Sequence, residues 1–253
     1  MNLYEAIGSR QSIRKYTGKE VTEKLQKQIL TFGEKVSRLN DGIDTELEIL
    51  DNTKGKVDLK GLWKVEAPYY LVIYSDPEEG YARNAGYMME QIVLYMVTKD
   101  LGSCYLGGSK LKTPAQNGKI QTMILAFGYP KGKLYRESPL AKRLSLNELC
   151  VFKEEVGEQI KTVLRAARLA PSALNSQLWR FIVYSDRIYV FAGKGNLLMR
   201  KEESMKDFSM GIMLSHIMLA AEEMWMELET TTEEQFAVKT YKNGEYIATL
   251  WLR

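Results

Sequence analysis

A long apolar run occurs twice in this chain, each time at a similar distance from a closing strand, and this recurrence narrows the fold more than any single motif. "NAGYMMEQIVLYMVTKDLG" surrounds Gly86, and "FSMGIMLSHIMLAAEEMW" surrounds Gly211, 125 residues further on. "NGKIQTMILAF" begins at Asn117 and "NGEYIATLWLR" at Asn243, 126 residues further on. Each run reads as a helix beginning near its glycine, and each Asn-Gly pair suits a type I′ hairpin turn that leads into a strand.

The elements upstream recur in the same order. Leu25, Ile29, Phe32, Val36 and Leu39 are spaced 4, 3, 4 and 3, and Val156, Ile160, Val163 and Ala167 are spaced 4, 3 and 4, one helix face in each case. Short apolar runs that read as strands follow: "LEIL" at 47–50 against "FIVY" at 181–184, then "LVIY" from 71 against "YVFA" from 189. Over the five pairs the offset drifts between 118 and 134, as it does when loops of a duplicated unit gain and lose residues. Coincidence is the alternative, since helix–strand order repeats in many folds. The expectation is two tandem copies, residues 1–150 with a connector around 129–153, and a truncated second copy over 151–253. Helices do not alternate strictly with strands and terminal hairpins are present, so the fold class is α+β rather than a doubly wound parallel sheet.

With 253 residues and 45% apolar content, the chain can bury one large core or two modest ones. Its formal charge is +3, from 35 basic and 32 acidic residues with interleaved signs. No extended basic tract marks a nucleic-acid groove or a membrane surface. Cys104 and Cys150 form neither a disulfide framework nor a C-x-x-C pair. "MNLYEAIGSR" lacks the apolar core of a signal peptide, and the longest apolar stretch, "GIMLSHIMLAA", has 11 residues where a membrane span needs about 20. A soluble, cytoplasmic protein is expected.

Three segments could carry chemistry. In "SRQSIRKYT", Arg10, Ser12 and Arg14 stand two apart and in extended chain share a side, so a hydroxyl between two guanidinium groups matches a phosphate. A solvated basic turn is the alternative. In "APSALNSQLWRF", Pro171 ends a helix, and Ser172, Asn175, Ser176 and Gln177 crowd the approach to a strand at Trp179. That is either a well-capped loop or a grip on a polar heterocycle or polyol. In "DLGSCYLGGSK", Gly107 and Gly108 bring bare backbone N–H groups near a ligand, with Leu101, Tyr105 and Leu106 as apolar walls. A glycine turn ending the helix accounts for Gly102 better than for the Gly107–Gly108 pair. Neither a dinucleotide fingerprint nor a P-loop is present. His216, the only histidine, sits in an apolar helix and reads as a hydrogen-bonded core residue rather than a catalytic base, and one histidine with two distant cysteines argues against a zinc site or classical hydrolytic machinery. Methionines such as Met88, Met89, Met96, Met210 and Met213 read as core filler. What remains suits a cofactor that brings its own chemistry.

Together the three segments resemble the FMN-dependent nitroreductase family, in its single-chain branch where two copies of the fold stand in for a homodimer. "SRQSIRKYT" resembles the R-x-S-x-R/K-x-F signature, "APSALNSQLWRF" the P-S-x-x-N-x-Q-P-W-x-F loop, and "LGSCYLGG" the G-L-G-x-x-W-x-G-G segment. Leu178 replaces the usual proline and Tyr105 the usual tryptophan, which bears on substrate preference. The resemblance implies one FMN per chain, between the copies, held by Arg10, Gln11, Ser12, Arg14, Tyr105, Leu106, Gly107 and Gly108 from the first and Pro171, Ser172, Asn175 and Gln177 from the second. "SPLAKRLSLNEL" resembles the region that returns a basic residue to the phosphate, with Arg143 the first candidate and Lys142 the second. The implied activity is oxidation of NADH or NADPH and reduction of a small-molecule electron acceptor, such as a nitroaromatic or quinone, by a ping-pong mechanism. Chemistry would occur at the flavin N5, with no catalytic side chain, and an internal pair of copies favours a monomer. Other readings are an FMN-binding carrier or sensor without turnover, or dehalogenation or ene reduction on the same scaffold.

Overall fold

The computed structural model describes residues 1–61, 64–112, 117–195, 203–237, 240–241 and 244–253. They form two compact units, Met1–Leu140 and Ala141–Arg253. The division therefore falls ten residues before the boundary expected at 150, and Lys142 and Arg143 belong to the second unit.

The first unit opens with helix α1 (Leu3–Ser9), started by a capping box in which the Glu5 N–H donates to Asn2 Oδ1 and the Asn2 N–H to Glu5 Oε2, both at 2.8 Å. Helix α2 (Glu23–Lys35) begins at Thr22, whose hydroxyl accepts from the Leu25 N–H. It ends at Lys35, because Val36 is already extended at φ −62° and ψ 148°, so the apolar spacing out to Leu39 outruns the helix. After β1 (Thr45–Asp51), β2 (Leu59–Lys60) and β3 (Tyr69–Ser75) comes the long helix α3 (Tyr81–Thr98). Strands β4 (Gly102–Tyr105), β5 (Lys110–Leu111) and β6 (Ile120–Gly128) complete the unit. Four strands form an antiparallel sheet in the order β1-β3-β6-β4, and β2 pairs with β5 apart from it.

Two glycine readings need correction. Gly86 lies inside α3, which starts after Gly80, and Gly211 likewise lies inside its helix, Glu203–Glu223. Gly102 does not end α3 in a turn. The left-handed residue there is Asp100 (φ 61°), and the Asp100 and Leu101 N–H groups return to the carbonyls of Val97 and Met96. Gly102 is strand, and it serves a different purpose. A side-chain Cβ on it would fall 2.5 Å from Ile13 Cγ1 and 2.8 Å from Ile13 Cβ. Its absence lets residues 12–17 lie along the sheet edge: Ser12 bridges Ser103 in parallel, the Ile13 N–H donates to the Ser103 carbonyl at 2.8 Å, and the Thr17 N–H donates to that of Tyr129 at 2.8 Å. Asn117 (φ 59°) and Gly118 (φ 74°) form the turn expected before β6, though β6 pairs with β3 and β4 rather than back onto β5.

The second unit contains α4 (Leu146–Leu149), β7 (Cys150–Phe152), α5 (Glu158–Leu169), β8 (Trp179–Val183), β9 (Arg187–Ala192), α6 (Glu203–Glu223), β10 (Leu228–Thr231), α7 (Glu234–Ala237), β11 (Thr240–Tyr241) and β12 (Gly244–Leu252). Its sheet runs β10-β12-β9-β8-β7, with β11 paired to β12, and only β7 and β8 are parallel. Without β7 and β11 the order β8-β9-β12-β10 repeats β1-β3-β6-β4 strand for strand, all antiparallel. α5 precedes β8 as α2 precedes β1, and α6 follows β9 as α3 follows β3. Tyr241 of β11 pairs with Gly244 of β12, and Asn243, the expected turn residue, lies outside the described residues. His216 is buried with Nδ1 2.9 Å from the Ala166 carbonyl of α5, and Met88, Met89, Met96, Met210 and Met213 are buried, as expected. Among the described residues, no helix is long and apolar enough to cross a membrane.

Gly102→Ala is expected to cost about 1–3 kcal/mol of stability, because the new methyl meets the branched Cβ of Ile13 rather than a flexible tip. Denaturant unfolding checks the cost. Faster amide exchange at Ile13 and Thr17 in the variant would place the damage at this seam.

Candidate functional site

The N-terminal segment brings three predicted residues together around one strand position. Arg10 follows α1 and is extended (φ −59°, ψ 135°), which starts the run along β4. Arg10, Ser12 and Arg14 all act on the buried Cys104 thiol. Burial pushes that thiol up, while the two positive charges and a hydrogen bond with Ser12 pull it back in part. The exposures of these residues differ. Arg14 is exposed, Ser12 half-buried and Arg10 only 3% exposed.

Arg10 is the unusual group. Its Nε lies 3.8 Å from Oε1 of the fully buried Glu90 on α3, and its guanidinium carbon lies 5.8 Å from the Tyr105 ring centroid. Nε and one terminal nitrogen, Nη2, are nevertheless buried without a hydrogen-bond partner. The Tyr105 hydroxyl donates to Glu90 Oε2 at 2.7 Å, so burial and the adjacent carboxylate hold its pKa well above the usual phenol value. The tyrosine standing where the family motif has tryptophan thus turns its polar end inward to a buried glutamate.

The rest of the glycine segment divides. Leu106 is buried in an apolar cluster with Leu59, Ala67, Tyr70, Val72, Ile124 and Ala126, so it is core rather than a wall. Gly107 is half-buried, and Gly108 is exposed with φ 77°, a conformation that favours glycine. The Gln11 side-chain amide points at main chain, with Nε2 between 3.0 and 3.4 Å from the carbonyls of Lys133, Leu134 and Tyr135.

Sequence reasoning did not single out Arg136, although "KLYRES" placed a basic residue just beyond the last strand of the unit. Its N–H donates to the Ser9 carbonyl at 2.8 Å, which seats it beside Arg10. Its Nε is buried without a partner, and burial together with the charge of Arg10 lowers its pKa.

In the second unit Ser172, Asn175 and Gln177 are again together and bonded within their own loop or to residues 142–144, whereas Ser176 Oγ is buried without a hydrogen-bond partner. Ser172 Oγ accepts from the Gln177 N–H at 3.0 Å, Gln177 Oε1 accepts from the Leu144 N–H at 2.8 Å, and Asn175 Nδ2 donates to the Lys142 carbonyl at 3.1 Å. Arg143 donates to Asn175 Oδ1 at 2.9 Å and to the carbonyls of Ala170 and Leu169 at 3.1 and 3.2 Å, so it caps the C-terminal end of α5. Lys142 is exposed, Pro171 is buried, and Gln177 is only 4% exposed. Leu174 (φ 53°), Asn175 (φ 56°) and Gln177 (φ 45°) hold left-handed conformations, strained for leucine and glutamine, which this network of bonds maintains.

A family model described as "Putative TM nitroreductase" matches residues 2–221. A crystal structure of a nitroreductase so described, from Thermotoga maritima MSB8, aligns over 100% of this chain and 93% of its own, with TM-score 0.65 and 20% identity. An FMN-dependent nitroreductase from Clostridium difficile R20291 aligns over 56% of this chain and 97% of its own, with TM-score 0.45 and 17% identity. No curated protein matches the chain.

Two outcomes are expected. Arg143→Ala should lower stability by about 1–3 kcal/mol, because three carbonyl or amide oxygens lose a charged donor. A denaturation curve superimposable on wild type would show that the arginine is not engaged with α5. Burial raises the thiol of Cys104 and pushes that of Cys150 up to about 12, so little thiolate exists at pH 8. A disulfide-exchange reagent should titrate neither thiol in the native protein at that pH and both after denaturation.

Proposed function

Because this chain belongs to the TM nitroreductase family, we propose that it is an FMN-dependent oxidoreductase using one flavin per chain, with NADH or NADPH as donor and a nitroaromatic, quinone or similar small molecule as acceptor. The observation that carries the reading is the unsatisfied guanidinium of Arg10, buried at the position of the family's first signature arginine. A buried charged donor that makes no hydrogen bond costs more than an ordinary unmade one, and a phosphate oxygen would remove that cost. The repeated strand order supports a tandem duplication, with each copy retaining the motif the other lacks.

In this reading Arg10 and Ser12 bind the phosphate. Arg14 would lie towards the pyrimidine edge, where its positive charge would favour the negative charge of the reduced cofactor. Gly107 and Gly108 offer backbone N–H groups to the ring edge, and Ser172 and Asn175 serve the ribityl chain or the pyrimidine from the second unit. Gln11, Leu106 and Arg143 act as supports: Gln11 for the 133–135 loop, Leu106 for the core and Arg143 for the α5 terminus. When bound, FMN would supply two-electron redox chemistry between the nicotinamide donor and the acceptor. No side chain need act as acid or base.

The purified protein should show flavin absorbance between about 350 and 500 nm, as isolated or after incubation with FMN, and should bleach on anaerobic addition of NADH or NADPH. Arg10→Ala should lose flavin occupancy. Flavin that neither nucleotide bleaches would make this a binding protein, and retention of full occupancy by Arg10→Ala would remove the phosphate assignment.

A further inference from the structure

We infer that Arg136 forms, with Arg10, a two-guanidinium site in the first unit for a phosphate monoester dianion, and that Arg136 is the second phosphate-binding residue of this chain in place of Arg143. The inference rests on the flavin reading only for the identity of the natural ligand.

Two bonds seat the pair. The Arg136 N–H donates to the carbonyl of Ser9, and the Gln11 amide holds the carbonyls of residues 133–135, so the chain on both sides of Arg10 is tied to the loop that carries Arg136. Arg136 is thereby kept near enough to Arg10 to feel its charge, although separation would relieve their repulsion. Glu90 answers only part of that charge. It lies 3.8 Å from Arg10 Nε, and its other oxygen accepts from Tyr105. The cluster of Arg10, Arg136 and Glu90 keeps a net positive charge.

Three nitrogens of the pair, Arg10 Nε and Nη2 and Arg136 Nε, are buried without a hydrogen-bond partner. All three atoms are themselves buried, so water does not answer for them. A dianion with three terminal oxygens meets both requirements, since it balances the charge and accepts from several guanidinium nitrogens at once. Arg143 meets neither, because its donors already serve Leu169, Ala170 and Asn175. The ligand phosphate belongs either to a flavin mononucleotide or to the 2′-phosphate of a nicotinamide dinucleotide, and the same contacts would serve both.

The test uses the full chain and the variants Arg136→Ala and Arg136→Lys, with circular dichroism to establish that each is folded. Dissociation constants are measured for FMN and riboflavin, and for NADP⁺ and NAD⁺. The thermal midpoint is measured with and without inorganic phosphate. Arg136→Ala is expected to weaken FMN about 10- to 100-fold while leaving riboflavin within about twofold, and to abolish stabilisation by inorganic phosphate. Arg136→Lys should fall between, since it keeps the charge and loses the fork. The same loss confined to NADP⁺ relative to NAD⁺ would support the site and assign it to the dinucleotide. If the wild type binds neither flavin yet phosphate stabilises it and Arg136→Ala removes that effect, the flavin reading fails and the anion site stands. If flavin binds but the FMN-to-riboflavin and NADP⁺-to-NAD⁺ ratios and the phosphate effect are unchanged in Arg136→Ala, the inference is overturned and the flavin reading stands.

Discussion

Gly102 has no side chain, and Ile13 occupies the space where one would be. Much of the first unit's chemistry depends on that exchange. With Ile13 against β4, its N–H reaches the Ser103 carbonyl and the segment from Ser12 to Thr17 becomes an added edge to the sheet. An exposed basic turn would have left Arg10 in water with its charge screened. Laid on the strand, it is buried between Glu90 and Tyr105, where an unmade hydrogen bond is expensive and an incoming anion correspondingly favourable.

Arg143 and the Arg10–Arg136 pair differ in how their donors are used. In the second unit, Arg143, Lys142, Asn175 and Gln177 close their bonds among themselves, and the network holds left-handed leucine and glutamine residues in place. Such a segment is preorganised, because its strain is offset within the loop. In the first unit, Arg10 and Arg136 retain open donors. A binding site needs both features: rigid elements that hold its shape and unsatisfied groups that reward a ligand.

Much of this architecture was legible in the residues. Periodicity located both amphipathic helices, short apolar runs fell on β1, β3, β8 and β9, and the repeated order of elements agrees with a strand order that recurs in both sheets. Boundaries were harder to read. Apolar spacing continues to Leu39 after α2 has ended at Lys35, because a hydrophobic residue packs equally well from an extended chain. Motifs located Arg10, Ser12 and Arg14, but a motif records residue type and not which donors are already engaged. Gln11 and Arg143 were therefore placed with the ligand donors although they hold main-chain carbonyls, and Arg136 was passed over because no motif contains it.

By itself the sequence determined the α+β class, the order of elements, the inward face of each helix and the concentration of guanidinium and hydroxyl groups in residues 9–17. These follow from local periodicity and side-chain chemistry, which act over a few residues. Tertiary structure alone decided which arginine is capped and which is left open, since that depends on groups far apart in the chain. Ser9 meets Arg136, Gln11 meets residues 133–135, and Glu90 meets both Arg10 and Tyr105. Whether a buried charge is satisfied is a property of those meetings, and no stretch of the chain contains it alone.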